Sequence, residues 1–405
     1  MRSIPFSPPD ITENEIEAVA DTLRSGWITT GPKTKEFEKK VADFLGTSKA
    51  VALGSCTSAL EMTLRILGIG EGDEVIVPAY TYTATAACVA HVGAKIVIVD
   101  TSPESFLIDP DKIAEAVTER TKAVIPVDIA GKMCDYESIF KVVESKNYLF
   151  KPGNKIQELF NRVIVVSDSA HGFGSSRHGV MSGGMADFTA FSLHAVKTIT
   201  AAEGGIATWR DVEGLDNDWL YQQYMLYSLH GQTKDALHKN LAGSWEYDIV
   251  VPGYKCNMTD IQAAIALVQL ERFKDIQGRR RDIIKMYDVA MDEMGIGYLH
   301  HVNEEFVTSC HIYLTRVPGI GHRERNEIIN RMADLGVACN VHFKPLPMMS
   351  AYKNMGFNID DYPNAYAHYK NEITLPLHTK LTDEDIQYVI DCYRKVLIDM
   401  HLIKA

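Results

Sequence analysis

The feature that most constrains the fold of this chain is a series of short, β-branched, apolar runs that alternate with helical segments. Five of these runs occupy residues 49–53, 73–78, 94–100, 122–128 and 163–168. Several are apolar at consecutive positions, so both faces of such a strand must be covered, as in a parallel sheet buried beneath helices. The alternation therefore predicts an α/β fold with a mostly parallel sheet.

The pattern changes at about residue 260, which predicts two domains. Residues 1–260 are expected to form a large α/β domain, with an insertion at about 136–162 that is long and polar for a crossover connection. Residues 261–405 begin with a long helical pattern and are expected to form a smaller α+β domain. That domain includes a predicted strand at 338–343. A chain of 405 residues is long enough for both domains.

Composition argues against several classes of function. The net charge of −12 disfavours binding to nucleic acid or to an anionic membrane surface. No apolar run is long enough for a transmembrane helix, and the first residues lack the apolar region of a signal peptide. The seven cysteines are scattered without a C-x-x-C motif. They predict neither a disulfide framework nor a metal site, and they suit a reduced, cytoplasmic protein.

A first candidate site lies in the segment GSCTSAL, Gly54–Leu60, where a predicted strand gives way to a helix. Ser55, Thr57 and Ser58 lie at this junction. Free N–H groups at a helix start, together with hydroxyl groups, can bind a phosphate dianion. The same residue types are common helix N-caps, so this segment alone leaves both interpretations open.

A second group of candidate residues follows two later predicted strands: Asp168 and His171 lie at the end of one, and Lys197 follows the next. Asp168 ends a predicted strand, at the edge where open α/β sheets bind ligands, and its carboxylate needs a cationic or N–H partner from a ligand or from the protein. His171 could reach the same site, although a lone histidine is more often structural. Lys197 lies among small, apolar and hydroxyl residues. A desolvated lysine attacks carbonyl groups, whereas a lysine that snorkels at a strand end has no chemical role.

The three features together favour the functional interpretations. A phosphate-binding helix start, a strand-end aspartate and an isolated lysine, in this order on a parallel sheet, form the set that pyridoxal phosphate requires. The helix start holds the phosphate, the aspartate keeps the ring nitrogen protonated, and the lysine forms a Schiff base with the aldehyde.

Seven segments of the chain, spread over roughly residues 4 to 395, resemble the DegT/DnrJ/EryC1/StrS family of nucleotide-sugar aminotransferases. In chain order they are SGWITTGPKTKEFE, GSCTSALEMTL, GDEVIVPAYTYTATA, DSAHGFGS, FSLHAVKTITAAEGG, PGYKCNMTDIQAAI and NVHFKPL. The resemblance implies the aspartate aminotransferase fold, also called PLP fold type I, and pyridoxal phosphate as the cofactor. The segments SGWITTGP, AEGG and PGYKCNMTDIQAAI look most like the branch of UDP-4-amino-4-deoxy-L-arabinose aminotransferases.

The resemblance also implies a role for each site residue. Lys197 matches the Schiff-base lysine, Asp168 the partner of the pyridine nitrogen, and His171 a position near cofactor and substrate. The other cofactor-binding positions are Thr57, Ser58, Tyr82, Ser192 and Asn257. The last of these is expected to reach the phosphate of the partner subunit, which implies a homodimer with shared active sites. The positions that fall in regions lining the sugar-nucleotide pocket are Thr29, Thr30 and His342.

The expected reaction transfers an amino group from L-glutamate to a nucleotide-linked keto-sugar. The expected acceptor is C4 of a UDP- or dTDP-4-keto-6-deoxy hexose, for amino sugars of lipopolysaccharide, capsule or another glycan. The alternatives are amination at C3, another fold type I reaction, a non-catalytic paralogue that binds the cofactor, and a sugar 3-dehydratase, which would carry histidine in place of Lys197. Two positions depart from the family pattern: Asp128 replaces a common histidine, and Ser169 replaces a common alanine.

Overall fold

The structure is a computed structural model that describes residues 2–234 and 246–404. Its strands before residue 210 are β1 Ala50–Leu53, β2 Glu74–Pro78, β3 Lys95–Val99, β4 Thr121–Val124, β5 Ile164–Asp168, β6 Ser176–Arg177, β7 Val180–Met181, β8 Phe188–Ser192 and β9 Gly205–Trp209. Seven of them form one sheet in the order β1-β9-β8-β5-β4-β2-β3. Within this sheet only β9 runs against the other strands. The prediction of a mostly parallel sheet is confirmed.

Helices alternate with these strands along the chain. They are Glu13–Ser25, Pro32–Leu45, Cys56–Ile66, Thr83–His91, Pro110–Ala116, Tyr136–Ser145, Lys155–Phe160 and Asn217–Ser228. Every residue of β2 and of β5 is buried, as the consecutive apolar positions in these strands require. The architecture is the α/β fold that the alternation predicts.

The segment predicted as an insertion, residues 136–162, connects β4 to β5 and is partly helical. It contains the helices Tyr136–Ser145 and Lys155–Phe160. The second helix is capped by Asn154, whose Oδ1 accepts hydrogen bonds from two backbone N–H groups at its start. Residues 151–153, between the two helices, are exposed.

The later part of the chain has its own sheet and its own apolar core. Its helices are Asp260–Glu271, Phe273–Met294, His322–Asp334, Ser350–Asn354, Pro363–Tyr369 and Asp383–Asp399, and its strands are β10 Gly297–Tyr298, β11 Phe306–Val307, β12 Tyr313–Arg316 and β13 Glu372–Leu375. Strands β10, β12 and β13 form an antiparallel sheet. Ile4 joins this core from the start of the chain. Among the described residues, no helix is both long and apolar enough to cross a bilayer.

The prediction of a strand at residues 338–343 is wrong. Only Asn340 makes a bridge there, to Thr374 of β13. The next two backbone N–H groups are bound by side chains instead, because Val341 donates to the Asn340 amide oxygen and His342 donates to the Glu372 carboxylate. Side-chain acceptors therefore replace the regular ladder that a strand would form.

Candidate active site

A cavity of about 380 Å³ lies at the carboxyl end of the main sheet. Its walls include Ser55, two residues after β1, Asp168 at the end of β5, and Ser192 at the end of β8. This is the edge at which open α/β sheets bind ligands. The predicted site residues that line the cavity are Lys197, Asp168, His171, Thr57, Tyr82, Ser192 and His342.

The helix Cys56–Ile66 begins at the cavity, and its start bears on both interpretations that the sequence left open. Ser55 is its N-cap, and the Ser55 hydroxyl accepts a hydrogen bond of 3.0 Å from the backbone N–H of Ser58. Thr57 lines the cavity, whereas Ser58 is not among its lining residues. Capping and anion binding are therefore compatible here, because the cap fixes the helix start while the first turn borders the cavity.

Gly205, the first residue of β9, allows the chain to pass close behind this helix start. A Cβ atom at Gly205 would lie 2.1 Å from the carbonyl carbon of Ser55. Only glycine can occupy this position without displacing the N-cap. The last glycine of the AEGG sequence thus has a steric role, because it leaves room for the helix start at Ser55.

Asp168 is buried at the end of β5 and is held by three groups of the chain. Its Oδ2 accepts a hydrogen bond of 2.7 Å from the Thr85 hydroxyl, and its Oδ1 accepts from the Ala170 N–H and from the Cys56 thiol. Burial raises the pKa of Asp168, while the Thr85 hydroxyl and the Lys197 charge oppose that rise. A buried carboxylate of this kind favours a protonated nitrogen as its partner.

Lys197 lies in the tight turn that follows β8, where its backbone N–H donates to the His194 carbonyl at 2.9 Å. Among the described residues, its Nζ has no hydrogen-bond partner. Burial lowers the pKa of Lys197 to about 8, against the opposing influence of Cys56 and Asp168. A sizeable fraction of the amine is therefore unprotonated near neutral pH, which is the form that attacks a carbonyl carbon.

Four histidines line the same cavity; His194 is exposed, and the other three are His171, His311 and His342. The His171 Nδ1 accepts from the Ala130 N–H at 3.2 Å, and the His342 Nδ1 lies 2.9 Å from the Thr374 hydroxyl. The third, His311, lies with its ring centroid 4.4 Å from that of His171. Burial lowers the pKa of all three, to about 3 for His342, so all are neutral at physiological pH.

Sequence reasoning missed several residues of this cavity. His311 lies in a segment whose apolar pattern predicts only a strand, and Ser55 was noted but was not named as a binding residue. Phe6 stacks on the His342 ring at 5.6 Å, and the Ser7 hydroxyl donates to the Val196 carbonyl at 3.3 Å. No local pattern in the sequence places the start of the chain over a site nearly 200 residues away.

The remaining predicted residues lie outside the cavity of their own chain. Thr29 is exposed, and Thr30 is buried with its hydroxyl donating to the Met258 carbonyl at 2.5 Å. Asn257 donates from Nδ2 to the Thr30 hydroxyl, and its backbone bridges to Leu53 at the end of β1. Within a single chain, Asn257 is therefore hydrogen-bonded to Thr30 and lies beside β1, the strand that leads into the cavity.

The two departures from the family pattern are in direct contact behind the cavity. The Ser169 hydroxyl donates to Asp128 Oδ2 at 2.8 Å, and Asp128 also accepts from the Tyr136 hydroxyl and the Cys134 N–H. Burial raises the pKa of Asp128 to about 6. The Asp128 N–H in turn donates to the Asp168 carbonyl at 3.1 Å. The aspartate and the serine thus form one buried polar cluster that supports the end of β5.

The lining residues fit pyridoxal phosphate. The Ser55–Thr57 helix start suits a phosphate, the buried Asp168 carboxylate suits a protonated ring nitrogen, and the unpartnered Lys197 amine suits an aldehyde. Among the described residues, no group of histidine, cysteine, aspartate and glutamate side chains could hold a metal ion.

The chain is similar to several known proteins. The chain is 36% identical over 401 residues to the spore coat polysaccharide biosynthesis protein SpsC of Bacillus subtilis (strain 168), with 97% of each chain covered. It is 54% identical to the sugar aminotransferase Spr1654 from Streptococcus pneumoniae in its PMP form, with a TM-score of 0.96 over 98% of this chain and 100% of that chain. The same protein in its PLP form gives a TM-score of 0.95 at 52% identity, with both chains covered completely.

A more distant structure, Helicobacter pylori PseC, is an aminotransferase involved in the biosynthesis of pseudoaminic acid. It is 25% identical, with a TM-score of 0.85 over 98% of this chain and 100% of its own. Residues 9–394 of the chain match the DegT/DnrJ/EryC1/StrS aminotransferase family. The protein therefore belongs to the DegT/DnrJ/EryC1/StrS aminotransferase family, as a sugar aminotransferase that depends on pyridoxal phosphate.

Proposed function

We propose that this enzyme transfers an amino group from L-glutamate to C4 of a UDP- or dTDP-linked 4-keto-6-deoxy hexose. The observation that carries the proposal is the meeting of the Lys197 amine, the Asp168 carboxylate and the Ser55–Thr57 helix start in one cavity. Amination at C4 is supported by the resemblance of SGWITTGP and PGYKCNMTDIQAAI to the L-arabinose branch of the family. A role in surface-glycan synthesis is supported by SpsC, which is named for a spore coat polysaccharide.

Each residue of the cavity would have its own role in the proposed reaction. When bound, pyridoxal phosphate supplies the electron sink that lets an amino group leave an amino acid and enter a keto-sugar. Ser55, Thr57 and Ser192 would hold its phosphate, and Asp168 would keep its ring nitrogen protonated. Lys197 would bind it covalently and then carry a proton to and from the reacting carbon. A pKa of about 8 suits that exchange, because both forms of the amine are populated near neutral pH.

The proposed active unit is a cytoplasmic homodimer. Asn257 lies outside the cavity of its own chain, which is compatible with a contact to the partner subunit's phosphate site. All seven cysteines are unpaired, as is usual in a reducing compartment.

The test is to incubate the purified enzyme with L-glutamate and a panel of 4-keto and 3-keto nucleotide sugars. We expect a 4-amino sugar as the product, identified by its mass and its NMR spectrum, and no product from the Lys197→Ala variant. Borohydride reduction of the wild type should also attach the cofactor to the peptide that contains Lys197. A 3-amino product would move the reaction to C3, and a deoxygenated product without nitrogen would indicate a dehydratase.

A further inference from the structure

Arg280 is a buried cation without an anionic hydrogen-bond partner. It lies in the helix Phe273–Met294 and is only 4% exposed. Its Nη1 donates to three backbone carbonyls, those of Cys310 at 3.2 Å, His311 at 2.9 Å and Leu377 at 3.1 Å. Burial lowers the pKa of Arg280 only to about 10, so it stays charged at neutral pH. Among the described residues, no carboxylate hydrogen-bonds to it, and the Asp10 carboxylate acts on it only from beyond hydrogen-bond distance, so the segment that Arg280 holds experiences its positive charge.

His311 belongs to that segment and lines the cavity, although only 3% of its surface is exposed. Its Nδ1 is buried without a hydrogen-bond partner. Two other cavity histidines, His171 and His342, differ because Nδ1 of each is bonded to the chain. Among the described residues, the His311 Nε2 also lacks a partner, and it is the ring nitrogen left accessible to the cavity. Among these three histidines, His311 is thus the one in which neither ring nitrogen has a hydrogen-bond partner in the described part of the chain.

The groups around His311 are cationic or neutral. Lys197 and Arg280 supply the positive charges near its ring, and His171 and His342 are its neighbouring imidazoles. The carboxylates that line the cavity lie elsewhere: Asp168 is bound by Thr85, and Glu203 lies at the mouth beside His194. A positive field with an unpaired N–H group favours an anion over a neutral hydroxyl group.

We infer that His311, with the charge of Arg280 behind it, binds the carboxylate of the amino donor. The His311 Nε2–H would donate a hydrogen bond to a carboxylate oxygen, and the negative charge would offset the two nearby cations. Sugar hydroxyl groups are uncharged and would gain less from Arg280 than a carboxylate would, and the diphosphate of the nucleotide sugar is the competing anion that the sugar KM tests. This inference rests on the proposed function only in assigning the anion to an amino donor, since the site itself is defined by its charge and its free nitrogen.

The first measurement is binding of succinate, an unreactive dicarboxylate, to the cofactor-free dimer by calorimetry. Saturating inorganic phosphate is present throughout, so that the phosphate site at Ser55–Thr57 is occupied. We expect His311→Leu to weaken succinate binding at least tenfold and His311→Gln, which keeps an N–H donor, to retain most of it. The matched control is His301→Leu, since His301 is also buried with an unpartnered ring nitrogen but lies outside the cavity. It should bind succinate like the wild type.

The second measurement uses the holoenzyme. His311→Leu should raise the KM for L-glutamate at least tenfold and change the KM for the nucleotide sugar less than twofold. If the Leu variant does not fold, His311→Phe, which keeps a ring but loses both nitrogens, carries the same expectation. Unchanged succinate binding in a folded variant, or a larger effect on the sugar KM, would overturn the inference. If the wild type binds succinate through His311 but aminates none of the keto-sugars offered, the proposed function fails while the anion site stands.

Discussion

At the scale of single residues, the reactivity of Lys197 follows from where the fold places its amine. An exposed lysine is almost fully protonated at neutral pH, because its pKa is near 10.4. Burial beside the cavity lowers the pKa of Lys197 to about 8, although Cys56 and Asp168 oppose the shift. The deprotonated fraction at neutral pH therefore rises from well under one percent to roughly a tenth, by the relation between pKa and pH.

This shift predicts the pH dependence of covalent labelling in the cofactor-free protein. Reductive methylation of Lys197 by formaldehyde and cyanoborohydride should increase with pH to a midpoint near 8, because only the neutral amine attacks the aldehyde. In Asp168→Asn the midpoint should fall below that value, since the Asp168 charge favours protonated lysine. Peptide mass spectrometry reports the labelling, with N-acetyl-lysine as the control for the reagent. A midpoint near 10 in the wild type would mean that the amine is not desolvated.

Single site residues could be predicted from the sequence where they differ clearly from their neighbours in the sequence. Lys197 could be predicted because no other formal charge lies near it in the sequence, and Asp168 because it ends an apolar run. His311 could not be predicted in this way. Its surroundings depend on Arg280, which lies on another element, and on His171, which lies in the turn after β5.

At the scale of elements, the connection after β4 is fixed by the cluster around Asp128. This carboxylate receives hydrogen bonds from Tyr136 and Ser169, which follow it in the sequence by 8 and 41 residues. The same connection supplies the Ala130 N–H that bonds to His171. The cluster therefore ties the end of β5 to the segment that holds the His171 ring.

The buried carboxylate of this cluster makes stability depend on pH. Its pKa is about 6 in the folded protein and 3.8 in the absence of the fold, so the folded state retains a proton that the unfolded chain has released. We expect the free energy of unfolding to fall as the pH rises from about 4 to about 6, by up to about 3 kcal/mol from Asp128 alone. The free energy of unfolding, measured by urea titration at each pH, should lack this fall in the Asp128→Asn variant.

Ser169→Ala provides the matched control for that experiment. It keeps the carboxylate but removes one hydrogen bond that favours the ionised form, so the titration should persist with a midpoint shifted to higher pH. Parallel pH profiles for the wild type and Asp128→Asn would show that Asp128 does not titrate in this range.

Element-level prediction was most successful where the pattern was long and apolar. All five predicted runs in the first half of the chain contain strands of the main sheet, because hydrophobic burial on both faces leaves a clear pattern. The failure at residues 338–343 has a tertiary cause. Glu372 is distant in sequence, yet its carboxylate takes the His342 N–H that a strand would have used. The local pattern of the sequence around residues 338–343 does not indicate that contact.

At the scale of the whole molecule, the proposal of shared active sites can be tested by mixing subunits. Asn257→Ala and Lys197→Ala should each be nearly inactive as homodimers. Random reassociation of equal amounts should restore about a quarter of the wild-type activity, because half of the dimers are mixed and each has one intact site. Activity is measured after refolding the two variants together, with mass spectrometry to confirm mixed dimers. Mixed dimers without activity would contradict a contact from Asn257 to the partner subunit.

The place of β1 in the main sheet has a consequence for how the protein is made. β1 lies at one edge, and its sheet partner is β9, with Leu53 opposite Gly205. At 5–20 residues per second, roughly ten to thirty seconds of synthesis separate these two strands. During that interval the strand that leads into the Ser55 helix start has no neighbour in the sheet. A nascent chain that ends before β9 thus carries most of the cofactor-binding residues in its sequence without the pocket that makes them useful.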